Sequence, residues 1–579
     1  MPKRVKPQPK KTISKPNKTE TTETKIVAED AIPQRPGGRI LADALRVHGV
    51  DRVFCVPGES YLDVLDALHD MPDLQLIVAK HEGAAANMAE ADGKLTGRPG
   101  ICFVTRGPGA TQASIGVHTA FQDSTPMILF IGQVDRGFRG REAFQEVEFR
   151  EMFAPLAKWV AEIEDAARIP EYVLRAFQCS TSGRPGPVVL SLPEDMLAQT
   201  CSVANTARYS PVQAVPKLAD LDALRTELCR AQRPLLLVGG SGWTEQACSA
   251  IKVFAESNKL PVIASFRRQD LFDNEHRCYA GHLGLGLSPQ LAERIRAADL
   301  LIALGTRLGE VPTQSYSLLK PPRISQRLIH IHADPNELGR VFQPDLAINA
   351  SPAAFAATIS ILAPFSNAPW QSWTEEMRLE FLNFTTANPK QAPKKGVDLA
   401  AVVAHLAQRL PPDAMICNGA GNYTAWVHRF FRYKRLRTQL APTSGAMGYG
   451  FPASIAAKLR HPNRMSICFA GDGCFLMYPQ ELATAAQFGA PVIVLVVNNH
   501  MYGTIRMHQE RRFPGRVSGT DLSTPDFVAL ARSFGAHAEK VESTEAFAEA
   551  FERAVASGKL ALLELMTDRQ QITPDRRLP

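Results

Sequence analysis

The sequence predicts an α/β protein built from three doubly wound parallel-sheet domains. Apolar strand candidates alternate with amphipathic helix candidates over most of the chain, a pattern typical of parallel sheets covered by helices. Polar and proline-rich segments interrupt this alternation near residues 205–220 and 365–396. A chain of 579 residues is also too long for one hydrophobic core. We therefore divide it into three domains that follow an N-terminal tail.

The N-terminal tail, residues 1–36, is predicted to be disordered. It begins MPKRVKPQPKKTISKPNKTETTETK, which has almost no apolar residues and several prolines. Residues 1–25 hold seven Lys and one Arg against two Glu, a net charge of +6, so nearly all of the chain's formal +7 lies there. Such a segment could contact nucleic acid or an acidic surface. We favour the alternative that it only increases solubility, and we expect no nucleic-acid binding by the rest of the chain.

The apolar runs and the cysteines indicate where in the cell the protein is located. No apolar run approaches the roughly 20 residues of a membrane span. The tail has neither the apolar stretch of a secretory signal nor the arginine-rich pattern of a mitochondrial presequence. The ten cysteines form no C-x-x-C pair and lie mostly within apolar runs, as free thiols do in a reducing compartment. We therefore expect a cytoplasmic protein without membrane contact.

The first domain is predicted over residues 37–205. It opens with GGRILADALRVHGV, whose apolar spacing is that of an amphipathic helix, and continues with DRVFCVPG, a strand that ends in a turn. The same alternation continues to LPEDML near residue 196. The polar, proline-containing stretch ANTARYSPVQAVPKLAD is the linker that follows.

The middle domain is predicted over residues 221–364. Four strand candidates in it each end in a turn: RPLLLVGGSGW, LPVIASF, DLLIALGTRLG and RLIHIHADP. VGGSGW could hold a nucleotide phosphate, but it does not match G-x-G-x-x-G, and we interpret it as a structural turn. A longer connection with a helical centre leads to the third domain, residues 397–579.

The third domain contains a strand, helix, strand unit with polar residues at both strand ends. MSICFA and PVIVLVV are buried strand candidates, and ELATAAQFG between them is a helix that Gly489 ends. Asp472 follows the first strand and Asn498-Asn499 the second, so a right-handed crossover puts them at one edge of a parallel sheet. A carboxylate, an amide oxygen and a nearby carbonyl suit Mg²⁺. Taken separately, the Asp472 segment could be an ordinary Asp-Gly turn and Asn498-Asn499 an ordinary polar strand end.

Together with the three α/β domains, these motifs resemble the thiamine diphosphate enzymes of the acetolactate synthase-like group. GDG followed by 24 residues and NN matches the diphosphate and Mg²⁺ signature of that family. Further segments continue the match in the family's order over residues from about 37 to 575: KHEGAAANMAEADGKLTGRPGICFVTRGPGATQA, FQDSTPMILFIGQV, EAFQEV, TSGRPGPVVLSLPEDM and SGAMGYGFPASIAAKL. The resemblance implies a pyrimidine-binding first domain, a Rossmann-like middle domain and a diphosphate-binding third domain.

The resemblance also implies a site for thiamine diphosphate and Mg²⁺ in the third domain. The Mg²⁺ ligands would be Asp472, the side chain of Asn499 and the backbone carbonyl of Met501. Met447 would support the bent cofactor between its two rings. The other implied cofactor-binding positions are Gly421, Asn422, Tyr423, Gly445, Gly473, Cys474 and Tyr502.

Glu82 is the catalytic residue that the resemblance implies. Read alone, a His-Glu before an alanine-rich helix is typical of an ordinary helix start with a favourable acid. In the family pattern, this acid hydrogen-bonds the pyrimidine ring of the cofactor and helps to ionise the thiazolium C2–H. In the family this residue meets the Mg²⁺ site of another subunit, which implies at least a homodimer and often a tetramer.

The substrate-facing positions depart from those of strict acetolactate synthases. The positions that the resemblance places around the substrate are Gly58, Phe144, Gln145, Thr504 and His508. Thr504 replaces a Met and His508 a Trp, which gives a smaller and more polar wall. VPGES replaces P-G-G-A-S, so that Glu59 and Ser60 lie at the mouth of the site.

Two further departures concern the cofactors. Cys474 replaces the serine common in the family, and Asn422-Tyr423 replaces Gln-His, which weakens those contacts. The flavin-containing branch reads G-V-R-F-D-D-R where this chain has GTRLGEV, so Arg307 is kept but residues 309–311 differ. The sequence therefore leaves FAD open as a structural ligand.

These features predict a thiamine diphosphate- and Mg²⁺-dependent carboligase. It would decarboxylate a 2-oxo acid and join the acyl group to an aldehyde or a second oxo acid. The nearest alternative is a 2-oxo acid decarboxylase or C–C lyase of the same family that does not ligate. A more distant alternative is a nucleotide- or flavin-binding protein that shares only the fold. Glu82 argues against it, because a site without catalysis has no need of that acid.

Overall fold

The computed structural model describes residue 1 and residues 32–362, 364–365, 368–389 and 392–579. These residues form three six-stranded sheets, and the strand pairs within them are parallel. The predicted α/β fold with three parallel-sheet units is confirmed. Most of the predicted tail, residues 1–36, lies outside the described residues. Its last two residues, Arg35–Pro36, form a short strand.

The first unit contains eight strands: β1 (Arg35–Pro36), β2 (Arg52–Cys55), β3 (Gln75–Val78), β4 (Gly100–Val104), β5 (Met127–Gln133), β6 (Trp159–Glu162), β7 (Pro187–Pro193) and β8 (Thr200–Cys201). The main sheet has the order β3-β2-β4-β5-β7-β6, and β1 pairs with β8. The helices are α1 (Gly37–Val47), α2 (Leu62–His69), α3 (Glu82–Thr96), α4 (Gly107–Asp123), α5 (Phe149–Phe153), α6 (Ile169–Thr181) and α7 (Glu194–Ala198).

Helices cover both faces of this first sheet. Alternate residues of a strand point to opposite faces, so Cys102 and Val104 of β4 share one core with α3 and α4. Ile101 and Phe103 of the same strand share the other core with α1 and α6. Burial on both faces explains why the strands read as continuous apolar runs.

The middle unit contains six strands: β9 (Pro234–Val238), β10 (Val262–Ala264), β11 (Tyr279–His282), β12 (Leu300–Leu304), β13 (Arg327–His332) and β14 (Leu346–Asn349). Their order is β11-β10-β9-β12-β13-β14. The helices are α8 (Leu218–Arg230), α9 (Glu245–Ser257), α10 (Pro289–Ala297), α11 (Pro352–Ile359) and α12 (Gln371–Phe384).

Two strands of the middle sheet were missed by the sequence prediction, which identified four. They are β11, with the sequence YAGH, and β14, with the sequence LAIN. Both are short and lie at the two edges of the sheet. An edge strand is flanked on one side only, so it needs no long apolar run. The sequence signal for these strands was weak for that reason.

The third unit contains β15 (Met415–Asn418), β16 (Gln439–Leu440), β17 (Ser466–Gly471), β18 (Ile493–Asn498), β19 (His537–Val541), β20 (Ala561–Met566), β21 (Gln571–Thr573) and β22 (Arg576–Arg577). Its main sheet has the order β16-β15-β17-β18-β20-β19. The helices are α13 (Leu399–Arg409), α14 (Thr424–Phe430), α15 (Gly450–Arg460), α16 (Asp472–Phe475), α17 (Glu481–Gln487), α18 (Gly503–Arg512), α19 (Phe527–Ser533) and α20 (Thr544–Ala556).

The first and third units share one hydrophobic core. Apolar residues of α3 and α4 belong to the same buried cluster as residues of α15, α17 and β17. Polar contacts cross the same boundary: the Tyr449 hydroxyl donates to Glu90 Oε2 at 2.5 Å, and Arg460 Nε donates to Asp92 Oδ1 at 2.7 Å. The carboxyl edges of these two sheets are thereby held in a fixed relation.

Two chain-wide predictions concern cysteines and membrane spans. All ten cysteines fall within the described ranges, and each is a free thiol. None of the helices in the described parts of the chain is long and apolar enough to cross a membrane.

Candidate functional site

The carboxyl edge of the third sheet gathers most of the residues predicted to bind the cofactor. β16, β15, β17 and β18 are neighbours in the sheet, and a predicted segment follows each of them. These segments are 445–447 after β16, 421–423 after β15, 472–474 after β17 and 499–502 after β18. Neighbouring strands lie about 5 Å apart, so positions distant in sequence meet along one short edge.

Asp472 is buried directly after β17, as the first residue of α16. Its Oδ1 accepts the Gly473 N–H at 2.8 Å. Its Oδ2 is buried and has no hydrogen-bond partner. Burial raises the pKa of Asp472, while the backbone N–H groups of Gly473, His500 and Met501 act to lower it. The carboxylate therefore faces the Asn499–Met501 segment with one oxygen free for a further ligand.

The two adjacent asparagines at the end of β18 have different roles. Asn498 is fully buried, and its Nδ2 donates to Glu564 Oε1 on β20 at 2.7 Å. Asn499 is half-buried, and its Oδ1 accepts the Met501 N–H at 3.3 Å. Successive side chains on a strand point in opposite directions. Asn498 therefore binds into the sheet, whereas Asn499 remains at the edge near Asp472.

Met501 and Tyr502 complete this part of the site. Met501 is buried, and its carbonyl oxygen accepts the Gly503 N–H at 2.9 Å. Tyr502 packs on Gly473: a Cβ at Gly473 would lie 2.5 Å from the Tyr502 ring. Only glycine lets the backbone approach that ring so closely. The 472–474 turn is thus buried at the sheet edge beneath Tyr502.

Cys474 joins three of the loops at this edge. Its Sγ accepts the Gly448 N–H at 3.2 Å and the Tyr423 hydroxyl at 3.4 Å. The Tyr423 hydroxyl in turn accepts the Gly419 N–H at 3.1 Å. Burial raises the pKa of Tyr423 well above its ordinary value, so this hydroxyl stays a donor. Gly419 and Gly448 were not predicted as site residues, although both lie in glycine-containing turns next to predicted ones.

Thr504 and the remaining predicted cofactor positions of the third unit lie at the same edge. Thr504 Oγ1 donates to Asn422 Oδ1 at 2.9 Å, so a predicted substrate position contacts a predicted cofactor position. Gly421 and Gly445 adopt positive φ angles of 152° and 71°, which favour glycine. Met447 is half-buried and packs on the core of the third unit.

Glu82 lies at the carboxyl edge of the first sheet, as the first residue of α3. His81 caps this helix, with its Nδ1 accepting the Gly83 N–H at 3.0 Å. Burial raises the pKa of Tyr61 and of Cys102, and the nearby Glu82 charge adds to both effects. Glu82 is therefore near Tyr61, which follows β2, and near Cys102, in the middle of β4.

Tyr478 contacts both the segment around Glu82 and the Gly448 loop of the third-unit edge in the same chain. Its ring centroid is 5.0 Å from that of His81. A Cβ at Gly83 would lie 2.4 Å from its hydroxyl oxygen, and a Cβ at Gly448 would lie 2.7 Å from its ring. Among the described residues, Glu82 makes no hydrogen bond or ion pair with the third unit.

The predicted substrate positions of the first unit meet around the start of α4. A Cβ at Gly58 would lie 2.5 Å from the Thr105 Cβ. The Gly107 N–H donates to the carbonyl of Gln145 at 3.0 Å. Phe144 is 73% exposed, so its ring faces solvent in the single chain. By contrast, His508 lies on the exposed face of α18, where its Nδ1 is 3.1 Å from Arg511 Nη2.

Arg106 lies between these positions and was missed by the sequence prediction. It is only 7% exposed. Its Nη1 donates to Glu59 Oε1 at 2.9 Å, and its Nη2 pairs with Glu194. The available signal was the charged residue two positions after the apolar run ICFV in ICFVTRGPG.

A cavity of about 550 Å³ lies where the three units meet. Three guanidinium groups line it: Arg184, Arg268 and Arg307. Arg184 pairs with Glu337 at 3.1 Å, and burial lowers the pKa of Arg184 to about 10. Residues 309–311, at which the chain departs from the flavin-containing branch, line the same cavity. Its cationic wall suits a ligand that carries phosphate.

The sheet-edge residues fit a hard divalent cation and a phosphate group. The buried, unpartnered Oδ2 of Asp472 needs a ligand, because an unpaired buried carboxylate oxygen is costly. Asn499 and the Met501 carbonyl supply further oxygen atoms, the ligands that Mg²⁺ prefers. Gly473 has no side chain to keep an anion away from its backbone. The edge can therefore hold a metal and a phosphate, and the Glu82 carboxyl lies at the edge of the first sheet.

Comparison with known proteins agrees with this arrangement. Three family descriptions match the chain: thiamine pyrophosphate enzyme, N-terminal TPP binding domain at residues 35–152, central domain at 221–359 and C-terminal TPP binding domain at 419–565. The acetolactate synthase large subunit of Parasynechococcus marenigrum is 33% identical over 88% of this chain and 84% of its own length. That of Corynebacterium glutamicum is 30% identical over 90% and 85%. The acetolactate synthase isozyme 2 large subunit of Escherichia coli is 28% identical over 92% and 95%.

Proposed function

We propose that this chain, which belongs to the thiamine pyrophosphate enzyme family, is a Mg²⁺-dependent carboligase acting on a 2-oxo acid. In this proposal the protein removes CO₂ from the oxo acid and joins the remaining acyl group to an aldehyde or a second oxo acid. The relatives named acetolactate synthase support the class of reaction. When bound, thiamine diphosphate supplies the electron sink that decarboxylation needs.

The observation that carries the proposal is the free oxygen of Asp472. Asp472 Oδ2 is buried without a partner at the same edge as Asn499 and the Met501 carbonyl. These three groups would hold Mg²⁺, with the metal in turn holding the diphosphate. The tie between Cys474 and Gly448 fixes the loop that carries Met447. The third unit thus orients the cofactor against a rigid surface.

Glu82 would act on protons at the other end of the cofactor. It lies next to the buried side chains of Tyr61 and Cys102. A carboxyl group within hydrogen-bond reach of a bound ring can exchange a proton with it. In our proposal the Glu82 carboxyl exchanges a proton with the pyrimidine ring.

A complete site would require two copies of the chain. Within one chain, the Tyr478 side chain lies against His81, next to Glu82, and against Gly448, next to Met447. Large apolar side chains near both edges are exposed in the single chain: Leu62, Phe144, Met477, Ile505 and Phe513. Exposed apolar groups of this kind mark interaction surfaces. We therefore propose a homodimer or larger homo-oligomer whose sites lie between subunits, to be tested by analytical ultracentrifugation.

The test is product analysis by NMR. The purified protein is given pyruvate, thiamine diphosphate and Mg²⁺. Acetolactate would establish the carboligase. Acetaldehyde would replace it with the decarboxylase, the nearest alternative. If pyruvate is not consumed, a series of longer 2-oxo acids tests whether the donor is larger, and consumption of none of them would contradict the proposed function.

Replacing Glu82 with Gln is the matched variant. Loss of general acid–base catalysis costs about 10²- to 10⁴-fold in rate, so turnover should fall by that factor while cofactor binding persists. Asp63, an acid in the first turn of the neighbouring helix α2, provides the control variant D63N. Full turnover by E82Q would contradict the role of Glu82.

FAD, which the sequence leaves open as a structural ligand, is our candidate occupant of the central cavity. The three guanidinium groups support a phosphate-bearing ligand there, and Arg307 is retained from the flavin-containing branch. A visible absorption spectrum of the purified protein tests this proposal. A protein that stays colourless after incubation with FAD and desalting would contradict it.

A further inference from the structure

Arg106 occupies the centre of the region predicted to face substrate. It follows β4 and directly precedes α4. Thr105, on one side of it, packs against Gly58. Gly107, on the other side, donates its N–H to the Gln145 carbonyl at 3.0 Å. Since β4 and β3 are separated only by β2, Arg106 is about 10 Å along the sheet edge from the strand that precedes Glu82.

The guanidinium of Arg106 has an inner and an outer carboxylate partner. Its Nη2 pairs with Glu194, whose side chain is 32% exposed. Its Nη1 donates to Glu59 at 2.9 Å, and the Glu59 side chain is 65% exposed. Its Nε is buried and has no partner. The Nη1 side of the otherwise buried Arg106 guanidinium therefore faces the protein surface, where the exposed Glu59 side chain covers it.

Replacing Glu59 by another carboxylate costs little free energy, whereas leaving the Arg106 guanidinium without an anionic partner costs much more. An ion pair with a largely exposed carboxylate contributes little net stability. A buried guanidinium without an anionic partner is costly. Any carboxylate that reaches this edge can replace Glu59 without changing the charge around Arg106. Glu194 keeps the guanidinium in place during the exchange.

We propose that Arg106 binds a carboxylate of the substrate and that Glu59 occupies the same place in the free protein. The inference rests on the proposed function, which supplies a carboxylate-bearing substrate. An arginine stabilises the negative charge of the carboxylate it holds, which opposes loss of that group as CO₂. Arg106 is therefore assigned to the carboxylate that is retained, that of a second oxo acid acting as acceptor. This favours an oxo acid over a simple aldehyde as the acceptor.

The first test is binding of an unreactive carboxylate to the protein loaded with thiamine diphosphate and Mg²⁺. The probe is oxamate, and its neutral counterpart is oxamide. We expect E59Q to bind oxamate about 3- to 10-fold more tightly, because the competing carboxylate is gone. We expect R106M to bind it at least about 10-fold more weakly, with oxamide unaffected by either change. R106K should fall between R106M and the wild type, because lysine keeps the charge but not the planar fork.

The second test compares acceptors by their kinetics. With a 2-oxo acid as acceptor, R106M should raise the acceptor KM at least tenfold. With acetaldehyde as acceptor, it should leave KM within twofold. A merely structural role would change both values together. Arg136, which pairs with Asp195 at 2.7 Å on the nearby surface, provides the control R136M.

The outcomes separate this inference from the proposed function. Unchanged oxamate binding in E59Q, or equal losses for oxamate and oxamide in R106M, would overturn the assignment. E59Q tests the assignment even if R106M does not fold, because Glu59 is exposed and its replacement should leave the fold intact. If the wild type consumes no oxo acid but binds oxamate through Arg106, only the proposed function fails. If the wild type makes a carboligation product and R106M has the same acceptor KM as the wild type, only this inference fails.

Discussion

The Sγ atom of Cys474 lies 3.2 Å from the backbone nitrogen of Gly448 and accepts its N–H. This contact joins the loop after β17 to the loop that carries Met447. The same sulfur accepts the hydroxyl of Tyr423, which follows β15. One side chain therefore connects three of the four loops proposed to hold the cofactor.

Replacing Cys474 with Ala should weaken both the fold and cofactor binding. The change leaves the Gly448 N–H and the Tyr423 hydroxyl buried without their acceptor, so we expect unfolding free energy to fall by about 1–3 kcal/mol. Thiamine diphosphate affinity should fall about tenfold, which corresponds to about 1.4 kcal/mol. Urea unfolding and a cofactor titration followed by tryptophan fluorescence measure the two effects. C474S keeps an acceptor and should stay near the wild type, as should C229A at an exposed cysteine. Equal behaviour of C474A and C229A would refute the role of the sulfur.

Replacing Asp472 with Asn should abolish metal-dependent cofactor binding without unfolding the protein. Loss of the carboxylate should weaken binding of thiamine diphosphate in the presence of Mg²⁺ by at least about 100-fold. Because burial raises the pKa of Asp472, the cofactor-free folded protein binds its proton more readily than the unfolded chain. That contribution to stability is present below the ordinary pKa of 3.8 and is lost as pH rises through the raised value. At neutral pH the cofactor-free variant should therefore be at least as stable as the wild type.

The matched control for this variant is D521N. Asp521 pairs with Met501 through the backbone, but its side chain is 72% exposed and bound to Arg569. Isothermal titration with Mg²⁺ and thiamine diphosphate compares the two variants. If thiamine diphosphate binding still depends on Mg²⁺ in D472N, or loses that dependence in D521N, the assignment of Asp472 as a metal ligand would be wrong.

Replacing Tyr449 with Phe should loosen the contact between the first and third units. The hydroxyl donates to Glu90, a fully buried carboxylate that also accepts from Thr125 at 2.6 Å and pairs with Lys94 at 3.2 Å. Leaving one oxygen of Glu90 without its donor should lower the free energy of unfolding by about 1–3 kcal/mol. Thermal and urea unfolding measure this. Y172F removes a half-buried hydroxyl and should change little, so a similar loss in both variants would contradict the explanation.

His282 should make the protein sensitive to acid. Burial, with a smaller effect of Arg432, lowers its pKa from 6.5 to about 4. The unfolded chain therefore binds this proton more readily than the folded protein. Stability from the neutral ring is complete above pH 6.5 and is lost as pH falls toward about 4. The loss between pH 6.5 and 4.5 should be roughly 2–3 kcal/mol.

The variant H282F tests this, because phenylalanine cannot titrate and the Nε2 of His282 has no partner to lose. Urea unfolding at several pH values should give a flatter acid-side slope for H282F than for the wild type. H69Q at an exposed histidine should leave the slope unchanged. The neighbouring His428, whose pKa is lowered mainly by burial, should account for part of the slope that remains.

The sequence by itself determined the repeating strand and helix architecture and the main site motif. Strands buried on both faces must be apolar along their whole length, so their runs were visible without a structure. Asp472 and Asn499 were predicted to lie together because both come at the ends of such runs, and chain connectivity places the ends of neighbouring parallel strands together. The sequence prediction missed the edge strands β11 and β14 because they contain no long apolar run.

Tertiary structure alone decided which side chains contact one another. It turned Asn498 toward Glu564 and left Asn499 at the edge, although both occupy the same motif. It joined Cys474 to Gly448, 26 residues away, and Arg106 to Glu59, 47 residues away. The physical reason is that local propensity depends on neighbours along the chain, whereas hydrogen bonds and ion pairs depend on how the folded segments pack. Burial then fixes their strength, because an unpaired polar group is costly only where water cannot reach it.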